Sequence, residues 1–204
     1  DPTCHRLIEV SYARVDKGDW DAFHIDTYRF TPSRADYLAG HDRAYAVNGY
    51  RPNHPDWKDA PMLDTEEATA NWMKIRDDLT DVILMNQSVS FDAKFIMSEL
   101  RRHAKRVILD PPWRDFTWEV GGFCRQFMKE AGKKGWKLHD TYDLLEGPWL
   151  PPHRAEADVL RALWVLAIGV QKFPKVWPDY SLDTDGAKEA VVRWSKKRKE
   201  VLAL

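Results

Sequence analysis

The amino-acid sequence predicts an α/β fold in which a central sheet is flanked by helices. Two short apolar segments, residues 6–15 and 23–30, are separated by the polar turn Lys17-Gly18-Asp19, which predicts an antiparallel hairpin. Downstream, short apolar segments alternate with longer amphipathic ones, as in a mixed sheet whose later strands are parallel. A chain of 204 residues with 44% hydrophobic content is also long enough to bury a sizeable core.

The elements after the hairpin follow in a regular order. Residues 32–61 are rich in Pro, Asn, Asp and Gly without sustained periodicity, which predicts a long surface loop with at most short helical turns. Thr65 precedes two glutamates and a run of apolar residues at helical spacing, so a helix is predicted over residues 65–78. A short buried strand is predicted at 82–85, followed by an amphipathic helix over 92–103.

The second half of the chain continues this alternation. Its predicted elements are a strand at 106–109, helices at 118–131, 142–145 and 158–171, and a basic amphipathic helix at 186–204. The loss of apolar periodicity after residue 172 suggests a main domain over residues 1–172 and a helical C-terminal extension over 173–204.

Composition restricts the cellular setting and the partners. Lys and Arg total 31 and Asp and Glu total 32, so a polyanion would have to bind a local basic patch. Cys4 and Cys124 lack the spacing of a zinc site and the density of a disulfide scaffold, which favours reduced thiols in the cytoplasm. No apolar run approaches the roughly 20 residues that span a bilayer, so no membrane partner is expected.

Two clusters carry residues suited to chemistry. In residues 87–95 (QSVSFDAKF), Asp92 follows a predicted strand and opens a predicted helix, where it fits either a helix cap or a metal ligand. In residues 153–158 (HRAEAD), Asp158 is suited to bind a hard divalent cation, and a neutral His153 to take a proton from water. Taken alone, the second pair also fits a surface histidine and a helix cap.

The order of these clusters resembles the DEDDh family of 3′→5′ exonucleases. The family's third motif, H-x-A-x-x-D, is matched at every defining position by residues 153–158. Its second motif, approximately H-N-x-x-F-D-x-x-F, is similar to residues 87–95, with Gln87 and Ser88 in place of His and Asn. Residues 5–10 and 46–50 also resemble a strand and a nucleotide-facing loop of the family.

The resemblance implies a ribonuclease-H-like fold and two-metal hydrolysis at single-stranded or frayed 3′ ends of DNA or RNA, which releases nucleoside monophosphates. Two Mg²⁺ or Mn²⁺ ions would be bound by four carboxylates, with Asp92 and Asp158 as two of the ligands and His153 as the general base. A second copy of the chain or a polymerase-type protein is a candidate partner. The implied nucleotide contacts are Asn48, Tyr50, Gln87, Ser88 and Phe91.

The family's other two carboxylates form a D-x-E motif on its first strand. Asp1-Pro2-Thr3 is the only candidate by position, and it has no carboxylate at its third residue, so we expect the motif upstream of residue 1. The alternative is a catalytically inactive nuclease-like module whose basic residues 196–199 contact nucleic acid or an acidic partner. A hydrolase that uses a His/Asp pair is disfavoured because no G-x-S-x-G elbow is present.

Overall fold

The computed structural model describes residues 6–14, 23–40, 45, 50, 54–80, 82, 85–103, 118–152, 154–173 and 183–202. Within these ranges the chain is a mixed α/β protein with an antiparallel hairpin and seven helices, which confirms the predicted fold class at this level. The strands of the described residues form two separate pairs. None of the described helices has the length and apolarity needed to cross a membrane.

The elements are as follows in chain order. The first half contains β1 (Glu9–Arg14), β2 (His24–Arg29), α1 (Arg34–Ala39), a 3₁₀ turn (Pro55–Trp57), α2 (Glu66–Asp78), β3 (Met85–Asn86) and α3 (Val89–His103). The second half contains β4 (Trp118–Glu119), α4 (Gly121–Glu130), α5 (Leu138–Leu144), α6 (Ala155–Lys172) and α7 (Thr184–Leu202). β1 pairs with β2, and β3 pairs with β4.

The predicted hairpin and the helix after residue 65 are both confirmed. The hairpin is tied by the backbone N–H of Phe30, which donates to the carbonyl of Ile8 at 2.9 Å, and by the ion pair of Arg29 with Glu9. Thr65 caps α2, because its hydroxyl accepts a hydrogen bond from the Ala68 backbone N–H. The predicted turn at residues 17–19 lies outside the described residues.

Several predicted boundaries differ from those of the structure, and at α4 a tertiary hydrogen bond explains the difference. The helix predicted over 118–131 begins at Gly121, since the backbone N–H of Val120 donates to the Asn86 carbonyl at 2.6 Å beside the β3–β4 pair. Of the strand predicted at 82–85, Met85 belongs to β3 and Val82 does not, while residues 83–84 lie outside the described residues. The helices predicted over 142–145, 158–171 and 186–204 correspond to α5, α6 and α7, and each of these begins earlier than predicted. The strand predicted at 106–109 lies outside the described residues.

The contacts divide the chain into two compact units. The first comprises Asp1–Val10, Thr27–Leu84 and Ser88–Trp118, and the second comprises Ser11–Asp26, Met85–Gln87 and Glu119–Leu204.

A buried aromatic stack forms the core of the first unit. Phe30 and Trp72 are completely buried, and their nearly parallel rings have centroids 5.0 Å apart. His103, on α3, stacks on Trp72 with a centroid distance of 6.0 Å. Large stacked rings of this kind bury much apolar surface, so they stabilise the contact of α2 with α3 and the end of β2.

The predicted surface loop over residues 32–61 contains short helical turns, as expected, but it also contributes to the core. Tyr50 and Trp57 are buried together with Ile8 at the start of β1. The rings of Tyr50 and Trp57 meet edge to face at 5.3 Å, and the indole N–H of Trp57 donates to the Ile8 carbonyl. The loop-like composition did not indicate this burial, because the contacts join residues far apart in the sequence.

A buried carboxylate organises the polar part of the same unit. Glu99 is only 1% exposed, and its carboxylate accepts hydrogen bonds from Arg6 Nε at 3.0 Å, the Leu7 backbone N–H at 3.1 Å and Arg102 Nη1 at 2.6 Å. A desolvated carboxylate requires such partners, because an unpaired buried charge is strongly destabilising. Glu99 therefore ties the segment that precedes β1 to α3.

Small residues allow the helices of the second unit to approach closely. α6 contacts α4, α5 and α7. A Cβ atom on Gly169 would lie 2.6 Å from the ring of Phe123, so only glycine fits this position on α6. Ala167 packs against Ala187 and Ala190 of α7 in a buried cluster. The predicted C-terminal extension therefore packs directly on α6, and its boundary at residue 173 stays a prediction.

We expect the stability of the protein to fall as the pH drops from about 7.5 to 5.5, partly because of His103. Burial lowers the pKa of His103, since desolvation disfavours the imidazolium ion, and the negative Glu99 offsets this effect only in part. The unfolded chain gains a proton at the ordinary histidine pKa of about 6.5, whereas the folded chain does not, so stability is lost as the pH falls through that value.

Urea unfolding across this pH range, followed by circular dichroism, tests the expectation. His103→Gln should flatten the pH dependence, whereas His139→Gln, which changes a half-exposed histidine on α5, should leave it unchanged. Equal pH dependence of the unfolding free energy in the wild type and His103→Gln would contradict the assignment.

Candidate functional site

Asp92 lies inside the first turn of α3. The backbone N–H groups of Phe91 and Asp92 donate to the Ser88 carbonyl at 3.0 and 3.3 Å, so the helix begins at Val89. The helix start predicted at Asp92 is therefore three residues too late, and the interpretation of Asp92 as a helix cap does not fit. A carboxylate in the first turn remains favourable, because the helix dipole concentrates positive potential there.

The surroundings of Asp92 include an exposed aromatic ring. Phe91 is 60% exposed, and its ring lies 5.0 Å from that of Phe95 on the next turn of α3. A Phe ring this exposed gains little free energy from core packing. Asp92 itself is half-buried.

Gln87 and Ser88 lie on either side of the division between the units. In the second unit, the Gln87 side-chain amide donates to the Trp136 carbonyl at 2.8 Å, and its backbone N–H donates to Asn86 Oδ1 at 2.7 Å. A Cβ atom on Gly121 would lie 2.5 Å from the Gln87 carbonyl oxygen, so α4 can start here only with glycine. The side chain of Gln87 is thus held by the segment that precedes α5, and its backbone carbonyl lies directly against the start of α4.

Asp158 lies in the first turn of α6. This helix begins at Ala155, three residues before the predicted start at Asp158. The backbone N–H of Asp158 donates to the Arg154 carbonyl at 3.0 Å, which closes that turn. The carboxylate is 57% exposed, and Arg161 Nη1 donates to Oδ1 at 2.8 Å. Asp158 is therefore both oriented by a cation and accessible from solvent.

Arg161 is a residue of the candidate site that the sequence motifs did not indicate. Its guanidinium is 2% exposed, and Nη2 donates to the carbonyls of Leu150 and Pro151 at 3.3 and 3.0 Å. The one sequence signal was the spacing of Asp158 and Arg161, since residues three apart face each other on a helix. Arg161 joins the loop before α6 to the carboxylate on its first turn.

A second contact holds the same loop. The hydroxyl of Tyr142, on α5, donates to the Pro148 carbonyl, and the Arg161 guanidinium lies 5.8 Å from the Tyr142 ring. Burial raises the pKa of the Tyr142 phenol, although the positive Arg161 opposes this effect. Tyr142 therefore remains a neutral hydrogen-bond donor that fixes the loop immediately upstream of residues 150–151.

The remaining acidic residue of the HRAEAD motif has a structural partner. Glu156 is 13% exposed, and Arg198 of α7 lies 3.3 Å from its Oε1 atom. This ion pair connects the first turn of α6 to the last turns of α7. Of the two acidic residues in the motif, Asp158 is thus the one that solvent reaches more readily.

Two other predicted site residues, Asn48 and His153, lie outside the described residues. Tyr50 belongs to the first unit and is 5% exposed, packed among Tyr37, Tyr45 and Trp57. In the part of the chain that the structure describes, no group of three or more His, Cys, Asp or Glu side chains is arranged to hold a metal ion.

No known protein-family model matches the chain, and a search of curated proteins gives no significant match.

We expect Arg161→Met to lower the free energy of unfolding by about 2–4 kcal/mol, because it removes charge-assisted hydrogen bonds and leaves two loop carbonyls without their donor. Urea unfolding followed by circular dichroism measures the loss. The matched control is Lys172→Met, which breaks an exposed ion pair with Glu130 and should cost at most about 1 kcal/mol. Equal losses in the two variants would contradict a linking role for Arg161.

Proposed function

We propose that this chain is a metal-dependent 3′→5′ exonuclease of the DEDDh type that hydrolyses DNA or RNA to nucleoside monophosphates. The observation that carries the proposal is that Asp92 and Asp158 both lie in the first turn of a helix, each within a segment similar to a family motif. A ribonuclease-H-like sheet belongs to the same proposal, and the mixed α/β composition supports it in general terms.

The chemistry of the two carboxylates suits a hard divalent cation. Mg²⁺ and Mn²⁺ prefer carboxylate oxygens, and Asp158 offers a carboxylate that is more than half exposed. Asp92 and Asp158 are the residues that would hold the ions. When bound, the ions would supply activation of water and stabilisation of the charge on the phosphate.

The chain's own residues would perform the other steps. His153 would accept the proton of the attacking water as the general base. Arg161 and Tyr142 hold the carbonyls of residues 148, 150 and 151, and in this way would limit the motion of the chain before His153. The exposed ring of Phe91 would stack on the terminal base.

The other nucleotide contacts that we propose are Asn48, Gln87 and Ser88. Tyr50 is buried, which favours packing in the first unit over direct contact with a base.

Digestion of a 5′-labelled oligonucleotide under single-turnover conditions tests the activity. With Mg²⁺ or Mn²⁺, we expect stepwise shortening from the 3′ end. Asp92→Asn and Asp158→Asn should each abolish it, because each removes a negatively charged ligand while keeping the side-chain shape. Asp59→Asn and Glu189→Gln, which change exposed carboxylates, are the matched controls and should retain the activity. Shortening that persists in both Asp92→Asn and Asp158→Asn would refute the proposed metal ligands.

His153→Ala should lower the single-turnover rate by roughly 10²–10⁴-fold, the usual effect of removing a general base. Affinity for the oligonucleotide, measured by fluorescence anisotropy with Ca²⁺ in place of Mg²⁺, should stay close to that of the wild type. A parallel loss of rate and affinity would assign His153 to substrate binding instead.

The second candidate function is a nuclease-like module that binds nucleic acid, or an acidic protein, without cleaving it. The observation that favours it is the basic segment 193–199 of α7, which contains five cations and no acidic residue. Oligonucleotide binding without shortening, in both Mg²⁺ and Mn²⁺, would favour this function.

A further inference from the structure

An exposed tryptophan lies against the C-terminal half of α7 in the second unit. The buried hydroxyl of Ser195 donates to the Trp149 carbonyl at 2.6 Å, which fixes the Trp149 backbone beside the helix. The Trp149 side chain is nevertheless 44% exposed, and Lys199 Nζ lies 5.7 Å from the centre of its ring. Trp149 is therefore an exposed aromatic residue with a cation over its ring rather than a core residue.

The helix next to Trp149 carries most of its positive charge in one stretch. Residues 193–199 (RWSKKRK) contain five cations and no acidic residue, although the whole chain has a formal net charge of −1. Lys196, Lys197 and Lys199 are exposed, whereas Arg198 is directed to Glu156. A polyanion would therefore meet strong local attraction here despite the balanced total charge.

Helical spacing places part of this charge next to the aromatic ring. Val192, Lys196 and Lys199 are separated by four and three residues, so they lie along one face of α7. Val192 is 48% exposed, and Lys199 adjoins Trp149. We call Trp149, Val192, Lys196 and Lys199 the Trp149 surface.

We propose that the Trp149 surface binds single-stranded nucleic acid. An exposed indole can stack on any base, and lysines beside it neutralise the phosphates on either side of that base. Binding of this kind needs neither a metal ion nor cleavage, so the proposal goes beyond the exonuclease function. Trp149 directly precedes Leu150, whose carbonyl is held by Arg161, so a strand bound here would approach the loop that leads to Asp158.

The packing of α7 disfavours a membrane as the occupant. Ala187, Ala190 and Val191 are buried, and the first two pack against Ala167 of α6. The apolar face that an interfacial helix would insert into lipid is therefore already covered by protein. An acidic protein would use the lysines but not the stacking capacity of Trp149.

Fluorescence anisotropy with labelled single-stranded DNA and RNA oligonucleotides of the same sequence tests the proposal. The measurement is made in EDTA, so cleavage does not affect it and its outcome is independent of the exonuclease proposal. Trp149→Ala should weaken binding roughly 5- to 150-fold, the range expected for loss of one stacked base, whereas Trp149→Phe should keep most of the affinity.

Charge reversal provides a second test that does not alter the ring. Lys196→Glu/Lys199→Glu should weaken binding and reduce the slope of log affinity against log salt concentration by about 1.4, the value for two lost phosphate contacts on a single strand. Lys133→Glu/Lys134→Glu makes the same charge change at exposed lysines between α4 and α5, and should bind close to wild type. Circular dichroism confirms that each variant is folded.

The outcomes are decisive in both directions. Weakened binding in the two Trp149-surface variants, with the Lys133/Lys134 control unchanged, supports the proposal, and the DNA and RNA arms then show which strand is preferred. Equal binding by all variants, equal loss in the control, or no binding by the wild type overturns it. Poly-glutamate or phosphatidylserine vesicles that bind as tightly as the oligonucleotide would also overturn it, in favour of an acidic protein or a membrane. Binding in EDTA without cleavage in Mg²⁺ would retain this proposal and reject the exonuclease.

Discussion

The cost of burying charge determines which segments come together in each unit of this protein. Arg161 lies inside the second unit, where Asp158 accepts a hydrogen bond from its Nη1 and the carbonyls of Leu150 and Pro151 accept hydrogen bonds from its Nη2. Glu99 imposes the same requirement on the first unit through Arg6 and Leu7. Each buried ion therefore anchors an irregular segment to a helix. Apolar packing alone would hold that segment with less directional precision.

The candidate chemistry depends on this anchoring. Asp158 lies in the first turn of α6, and its carboxylate accepts a hydrogen bond from Arg161. Arg161 also donates to the loop before α6, so the Asp158 carboxylate is oriented before any ligand binds. Tyr142 adds a further constraint on the preceding loop. Under the proposed function, an oriented Asp158 carboxylate would lower the reorganisation cost of binding a cation.

The exposed groups of the second unit are distributed differently from its buried ones. The face of α7 that packs on α6 consists of small and apolar residues. The other face carries lysines, and one of them, Lys199, lies beside the indole of Trp149. A rigid helix that presents cations and an aromatic ring can serve as a binding surface whether or not the chain cleaves what it binds. The nuclease and the binding-module proposals therefore share this surface and differ at Asp92 and Asp158.

The sequence by itself determined the hairpin, the helix capped by Thr65 and the existence of the later helices, because these depend on local periodicity and on capping by neighbouring residues. It also indicated Asp92 and Asp158 as candidate ligands, since their motifs are short and contiguous. Tertiary structure alone decided three features: the burial of Tyr50, the role of Arg161 and the start of α4. At the start of α4, the Val120 backbone N–H donates to the Asn86 carbonyl. These features depend on partners that lie at a distance along the chain, and a local pattern carries no information about such partners.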